Sequence, residues 1–524
     1  MRRAIVAVAA IAGCAGSHFR QPPTPPQALP QLPAPSGEAV GIIPKPPTQE
    51  DIPPTDNVTE YVTKMNGGAF GKPVSQFRAG SVSALRTPPA TQTASGFQVS
   101  FPSHALITTP TVYKEKVIVS GGFKSKELYA YEAKTGKPVW GLDLHDDGPS
   151  SAACERDVCV VSTESCTLFS ISAATGALLW SYWLGDPLTS APTIAGGRVF
   201  ASYPTTKATG GQLPPGANHA LAAFDLSTGK IAWQLWLDSD VMSAPVAVGD
   251  FVYVTTFSGT LIKAEQSTGK VRYAVKAKAT SAPVVRFASD GVEQMFYTRR
   301  GHNEGSGAEE MIIRADHNHP QTKFSAGFSA GKKKADYIDS NAQAPSDYSS
   351  TSKSADAHNG FGNGAPPAAA SKAALDSVGA GSVSSMQAFQ GSRILYMGDR
   401  NINTMGDEVI ATDTETGAKL WSFKLTGDTR KVGGFLGTAP LAAGGSVFFG
   451  TLLGDIVRVD PKSGKTTGIY AVGGQIRSQP VVENGWIYVG TADGKLVAIN
   501  TKDPSITGWP TWGGNAQRTG IASR

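Results

Sequence analysis

The sequence predicts an all-β fold: an eight-bladed β-propeller with four-stranded antiparallel blades. Three observations predict it. A strand, turn and Trp phrase recurs, as YAYEAKTGKPVW at 129–140, FSISAATGALLW at 169–180, AAFDLSTGKIAW at 222–233 and IATDTETGAKLW at 410–421, with weaker copies at 262–273 and 457–464. A Ser/Thr-x-Pro phrase comes before the copies: Ser190-Ala191-Pro192, Ser243-Ala244-Pro245, Ser281-Ala282-Pro283, Thr438-Ala439-Pro440 and Ser478-Gln479-Pro480. Composition agrees, because 59 Gly with only 17% charged residues favours strands and turns over helices. The Thr-Gly pairs at 135/136 and 175/176, and at 228/229 and 268/269, lie 40 residues apart, room for four short strands per unit.

Each unit has a physical reading. The Ala-Pro phrase opens the innermost strand, where Pro is tolerated at a strand start and small side chains let blades crowd the channel. A short turn leads to a second strand such as GRVFASY or DFVYVTT, alternating with period two. The third strand ends in a turn whose Asp or Thr binds backbone donors. Its glycine (Gly136, Gly176, Gly229, Gly269, Gly417, Gly464) supplies the positive φ. The fourth strand carries Trp140, Trp180, Trp233 or Trp421, sized to fill the gap between blades.

The blades are expected at about 107–142, 147–184, 188–237, 241–277, 280–326, 382–426, 434–472 and 474–512. The fifth is the most degenerate: Asp316 fits, but His319-Pro320 stands where Thr-Gly belongs. The seventh has Gly468 in place of Trp. FQVSFP at 97–102 is expected to pair with the last blade, which removes two open sheet edges. The C-terminal GWPTWGGNAQRTG reads as a packing cap. Residues 203–219 lengthen a loop of blade three, and 327–381 form a low-complexity insertion rich in Ala, Gly and Ser.

The propeller is assigned to residues 96–524, after three N-terminal pieces. Residues 1–13 carry Arg2 and Arg3 and then the apolar AIVAVAAIAG, which rises only ~15 Å as a helix and reads as an export signal peptide. Ile11-Ala12-Gly13-Cys14 resembles a bacterial lipobox. That resemblance implies a lipoprotein acylated at Cys14 (palmitate among its chains). Ala15, where Asp would signal retention, implies the outer membrane. Residues 14–60 read as a disordered tether, with twelve Pro between 21 and 54, and 61–95 as an N-terminal approach segment.

Several classes are excluded or disfavoured. Past the leader no apolar run nears the ~18 residues that span a bilayer. A net charge of +5 is too small for nucleic-acid binding. Cys154 and Cys159 flank the short turn 155–158 and are placed to form a disulfide across a hairpin, leaving Cys166 over. Asp316, His317 and His319 lack a third histidine nearby, so no metal site is assigned. No nucleophile-elbow, phosphate-loop or zincin motif is present, and no catalytic residue is assigned.

The pattern A-x-D-x-x-T-G-x-x-x-W resembles the tryptophan-docking repeat of the pyrroloquinoline-quinone-like (PQQ-like) propeller superfamily, over roughly residues 95–520. Quinoprotein dehydrogenases of that superfamily hold the quinone at the propeller centre. They do so with an adjacent Cys-Cys pair, a calcium bound by carboxylate and amide oxygens, and an Asp base. This chain has no adjacent cysteines and no C-x-x-C-H haem motif, so no cofactor is expected. Lipobox, blade number and repeat together resemble the BamB-like family of accessory lipoproteins of the outer-membrane β-barrel assembly machine. This resemblance implies a non-catalytic protein-binding scaffold of the bacterial cell envelope, with outer-membrane assembly components as partners. The alternatives are a PQQ- and Ca-dependent dehydrogenase and a surface-exposed glycan- or protein-binding propeller. The Pro-rich arm and the 327–381 insertion depart from the BamB-like pattern.

Overall fold

Eight antiparallel sheets stand side by side around a ring. The computed structural model describes residues 57–522 apart from 69, 74–76, 165, 185–189, 205–211, 242, 257, 278, 280, 288–292, 304–306, 317–321, 330–393 and 428–435. The leader, Cys14, nearly all of the tether, His317, His319 and most of the 327–381 insertion lie outside the described residues.

Blade one is Thr111–Tyr113, Lys116–Ser120, Glu127–Glu132 and Pro138–Asp143, counted outward from the axis. Blade three (Thr193–Ala195, Arg198–Pro204, His219–Asp225, Ile231–Leu237) and blade four (Val246–Val248, Phe251–Thr255, Thr260–Glu265, Val271–Lys276) repeat that order. Blade eight has three strands from the C-terminus, Val481–Glu483, Trp486–Gly490 and Lys495–Asn500. Its fourth is Gly96–Ser100, with Phe97 opposite Ala498, so the ring closes as the sequence predicts. Blade five departs most. Its second and third strands, Glu293–Asn303 and Gly307–Asp316, are 11 and 10 residues long.

The Ser/Thr-x-Pro phrase does more than the crowding expected of it. Its hydroxyl caps the end of the second strand twelve residues on: Thr438 Oγ1 accepts from the Gly450 amide at 2.9 Å. In blade two, Ser150 of Ser150-Ser151-Ala152 holds the same place without the proline, and its Oγ accepts from the Ser162 amide at 3.1 Å. Thr108 and Ser190 meet Ser120 and Ser202 hydroxyl to hydroxyl, at 3.0 and 2.9 Å. Buried strand ends must find partners, and a short hydroxyl at a fixed register supplies them.

The segment before the first blade is a belt. Asn57 bridges to Val275 on the outer strand of blade four. The short helix Thr59–Met65 then buries Val62 against blades three and four. Residues 57–60, the end of the tether in the sequence reading, are therefore docked. Asn66 imitates a strand neighbour: its Oδ1 accepts from the Trp236 amide at 2.7 Å and its Nδ2 donates to the Trp236 carbonyl. Phe77 packs on Tyr182, Tyr203 and Phe224 between blades two and three. Arg78 bridges to Trp183 and lies 4.7 Å over its ring. Ser83–Ala84 pairs with the outer strand of blade one, and Thr91–Thr93 pairs with Gly96–Gln98 of blade eight. The belt thus crosses the outer edges of four blades before entering the fifth sheet it touches.

Candidate functional site

The ring has two faces. One, the turn face, carries the first hairpin of each blade and the Thr-Gly turns. The other, the loop face, carries the blade-to-blade connections and the lengthened loop of blade three.

Four expected indoles sit in seams between blades. Each donates to a carbonyl of the next blade: Trp140 to Ala173 at 3.1 Å, Trp180 to Leu226 at 2.9 Å, Trp233 to Gln266 and Trp421 to Pro461 at 2.8 Å. Each also covers that blade's turn glycine, respectively Gly176, Gly229, Gly269 and Gly464. These glycines have φ between +68° and +75°, and a Cβ built on them would lie 2.6–3.0 Å from the indole. At the closing seam two residues share the role. Phe97 covers Gly136, and the Tyr488 hydroxyl donates to Ala133 at 2.9 Å. Gly417 has the same turn conformation, with φ +70°.

Blade five uses charge instead of indole. Lys263 of blade four pairs with Glu293 of blade five, which also accepts from the Tyr253 hydroxyl at 2.8 Å. On its other side Arg286 and Arg314 both reach Glu415 of blade six.

The channel is occupied by the C-terminal segment. Its carbonyls accept from the innermost strands of blades eight, one, three, four and six: Val482 to Trp509, Val112 to Pro510, Ile194 to Ala516, Ala247 to Gln517 and Tyr396 to Gly520. Trp512 is buried against Ala191 and Ala244, the small residues of two Ala-Pro phrases. Arg518 is fully buried and bonds Thr511, Trp512, Ser151 and Pro192. Burial pushes its pKa down to about 9, which still leaves the guanidinium charged at neutral pH. No acid is among these partners; every contact is to a carbonyl or hydroxyl oxygen or to the Trp512 ring.

Toward the loop face, seam three–four holds a buried polar network. Asp238 accepts from Thr256 at 2.9 Å, Thr260 at 2.5 Å and Lys276 at 2.7 Å. Burial opposes its ionisation, but Lys276 and the hydroxyls outweigh it and hold the carboxyl below its ordinary range. Burial pushes His219 below its ordinary value, against the pull of Asp240 and Asp238.

Cys154 and Cys159 face each other in register in the first hairpin of blade two and are joined as a disulfide. Cys166 is a buried thiol. Among the described residues no group of three or more His, Cys, Asp or Glu side chains is placed to hold a metal ion, and no helix is long and apolar enough to cross a membrane. The sequence reading has 61–95 as an approach segment and Arg518 in a packing cap, but it does not place the belt on blades one to four or the Arg518 side chain in the channel. The signals were a run of 35 residues (61–95) without a repeat phrase and the Arg within GWPTWGGNAQRTG.

Residues 124–213, 206–302 and 376–513 match the family model described as outer membrane protein assembly factor BamB. The BamB of Moranella endobia is 28% identical over 158 residues, 28% of this chain and 39% of that protein. The BamB of Shewanella oneidensis is 25% identical over 205 residues, 36% of this chain and 49% of that one. The chain therefore spans less than half the length of these relatives. The crystal structure of Saccharomyces cerevisiae Sqt1 aligns over 80% of this chain and 99% of its own, with a TM-score of 0.51 at 9% identity, a likeness of fold alone. With the family model covering more than half of its residues, on an eight-bladed ring of tryptophan-docked blades, the chain belongs to the BamB family of outer membrane protein assembly factors.

Proposed function

We propose that this protein is a non-catalytic scaffold of the bacterial cell envelope. It is anchored by acylated Cys14, held off the outer membrane by its Pro-rich arm, and binds proteins that assemble outer-membrane β-barrels. The observation that carries the reading is the family match over most of the ring. Two others support it. The innermost strands, which would surround a quinone in the dehydrogenases of the wider superfamily, spend their hydrogen bonds on the chain's own tail. The disulfide joins residues five apart, not the adjacent pair those enzymes use.

The test is crosslinking in the native envelope followed by affinity capture. Recovery of barrel-assembly components supports the reading. Capture of none of them, with quinone- and calcium-dependent oxidation of alcohols by the purified protein, overturns it. Cys14→Ala should move the protein from the membrane to the soluble fraction; a variant that stays membrane-bound removes the anchor.

A further inference from the structure

Seam three–four opens on the turn face into a cleft of about 660 Å³, within the ordinary size of small-ligand sites. The reason is local. In blade one the hairpin turn is Lys114-Glu115, and Lys114 reaches Asp157 of the next blade at 3.5 Å. In blade six the turn is Gly398-Asp399. Asp399 clamps the following Arg400 through two contacts of 2.8 and 2.6 Å, and Arg400 crosses the seam to the Pro461 carbonyl at 2.8 Å. In blade three the turn is Gly196-Gly197, followed by Arg198. Gly196 takes the place of the lysine and Gly197 the place of the clamping aspartate. The lysine tie cannot form, and Arg198, without a clamping aspartate, makes no bond across the seam among the described residues.

Among the described residues, the side chains of Arg198, Gln517, Asp250 and Ser267 at the cleft make no hydrogen bond or ion pair. Arg198 is half-buried on one wall. The acid that feels its charge, Asp225, has Oδ1 occupied by Ser227 and Thr228. Gln517, from the tail, lines the cleft with its backbone tied to Ala247 and its side-chain amide unspent among the described residues. A guanidinium and an amide lining one cleft offer the donors that a carboxylate takes. Glu265 at the same cleft is paired with Arg272, which also lines it, so the open Asp250 carboxylate is what disfavours a phosphate-like dianion over a single carboxylate. The Phe251 ring offers an apolar wall.

We propose that this cleft binds a single carboxylate of a peptide, held by Arg198 and Gln517. The carboxylate comes from a chain end or from an acidic side chain. This site stands on its own geometry and does not depend on a role in barrel assembly.

The experiment titrates the full chain with three peptides by calorimetry: Ac-Gly-Ala-Phe as the free acid, the same peptide as its C-terminal amide, and Ac-Gly-Asp-Phe amide. At least one carboxylate peptide should bind ten times or more tighter than the plain amide, and Arg198→Ala and Gln517→Ala should each remove that advantage. Preference for the free acid identifies a chain end; preference for the Asp peptide identifies a side chain. Equal binding of all three, no binding at millimolar peptide, displacement by equimolar inorganic phosphate, or unchanged affinity in Arg198→Ala overturns the proposal. Arg198 is only half-buried, so an unchanged unfolding midpoint will confirm that the variant folds.

Discussion

The Trp233 indole donates to the Gln266 carbonyl at 2.8 Å and lies against the Gly269 turn of the next blade. One side chain thus fills a seam, satisfies a buried carbonyl and requires a glycine on its neighbour.

Trp233→Ala removes the filler and leaves that carbonyl without its partner. Large-to-small core changes of this kind cost about 3–5 kcal/mol. A drop of that size in urea-unfolding free energy is expected. Gly269→Ala should also destabilise, because its φ is +73° and the new Cβ would meet the indole at 2.6 Å. A loss below about 1 kcal/mol for Trp233→Ala would show that the seam repacks.

Stability should fall with acid through His219. Its folded pKa lies below the ordinary 6.5 because burial disfavours the charged ring, although Asp240 and Asp238 pull the other way. Between the lowered value and 6.5 the unfolded chain holds the proton and the folded chain does not. Stability therefore rises with pH across that window and is fully present above it. Asp238 acts in the same sense further down: its folded pKa is lowered, so its contribution is lost as pH falls through that value. His219→Gln should flatten the dependence of the urea midpoint on pH below about 6.5. An unaltered slope would assign the dependence elsewhere.

Reduction of Cys154–Cys159 frees a loop of sequence separation 5. Loop-closure entropy for so short a ring amounts to about 2 kcal/mol. Cys154→Ser with Cys159→Ser should lose no more than that and leave the ring folded by circular dichroism. Global unfolding of the double variant would give the disulfide a larger role.

Asn66→Ala breaks both backbone contacts to Trp236 and should loosen the belt over blade three. Hydrogen exchange at Ile231–Leu237 should quicken, while Lys495–Asn500 of blade eight keeps its protection. Equal acceleration in both would mean that the belt couples to the whole ring.

The ring was legible because its repeat writes each blade's constraints into sequence. A glycine is needed where φ is positive, a Trp where two sheets leave a gap, and a Ser or Thr twelve residues before a strand end. The belt was not legible. Its contacts are backbone bridges and single side chains such as Asn66 and Phe77, which follow no period because each meets a different blade. The cleft was hidden for another reason. Gly196-Gly197 reads as an ordinary turn, and its effect appears only beside Lys114 and Asp399 at equivalent places in other blades.

The path of the belt also sets how the molecule bears load. Tension on the chain ahead of Asn57 arrives first at the outer strand of blade four. It must then strip attachments in turn at blades three, two and one before it reaches Gly96–Ser100, the strand whose loss would open the circle. Blades four to one act as a graded strain relief, shielding the closing strand from whatever pulls on the arm.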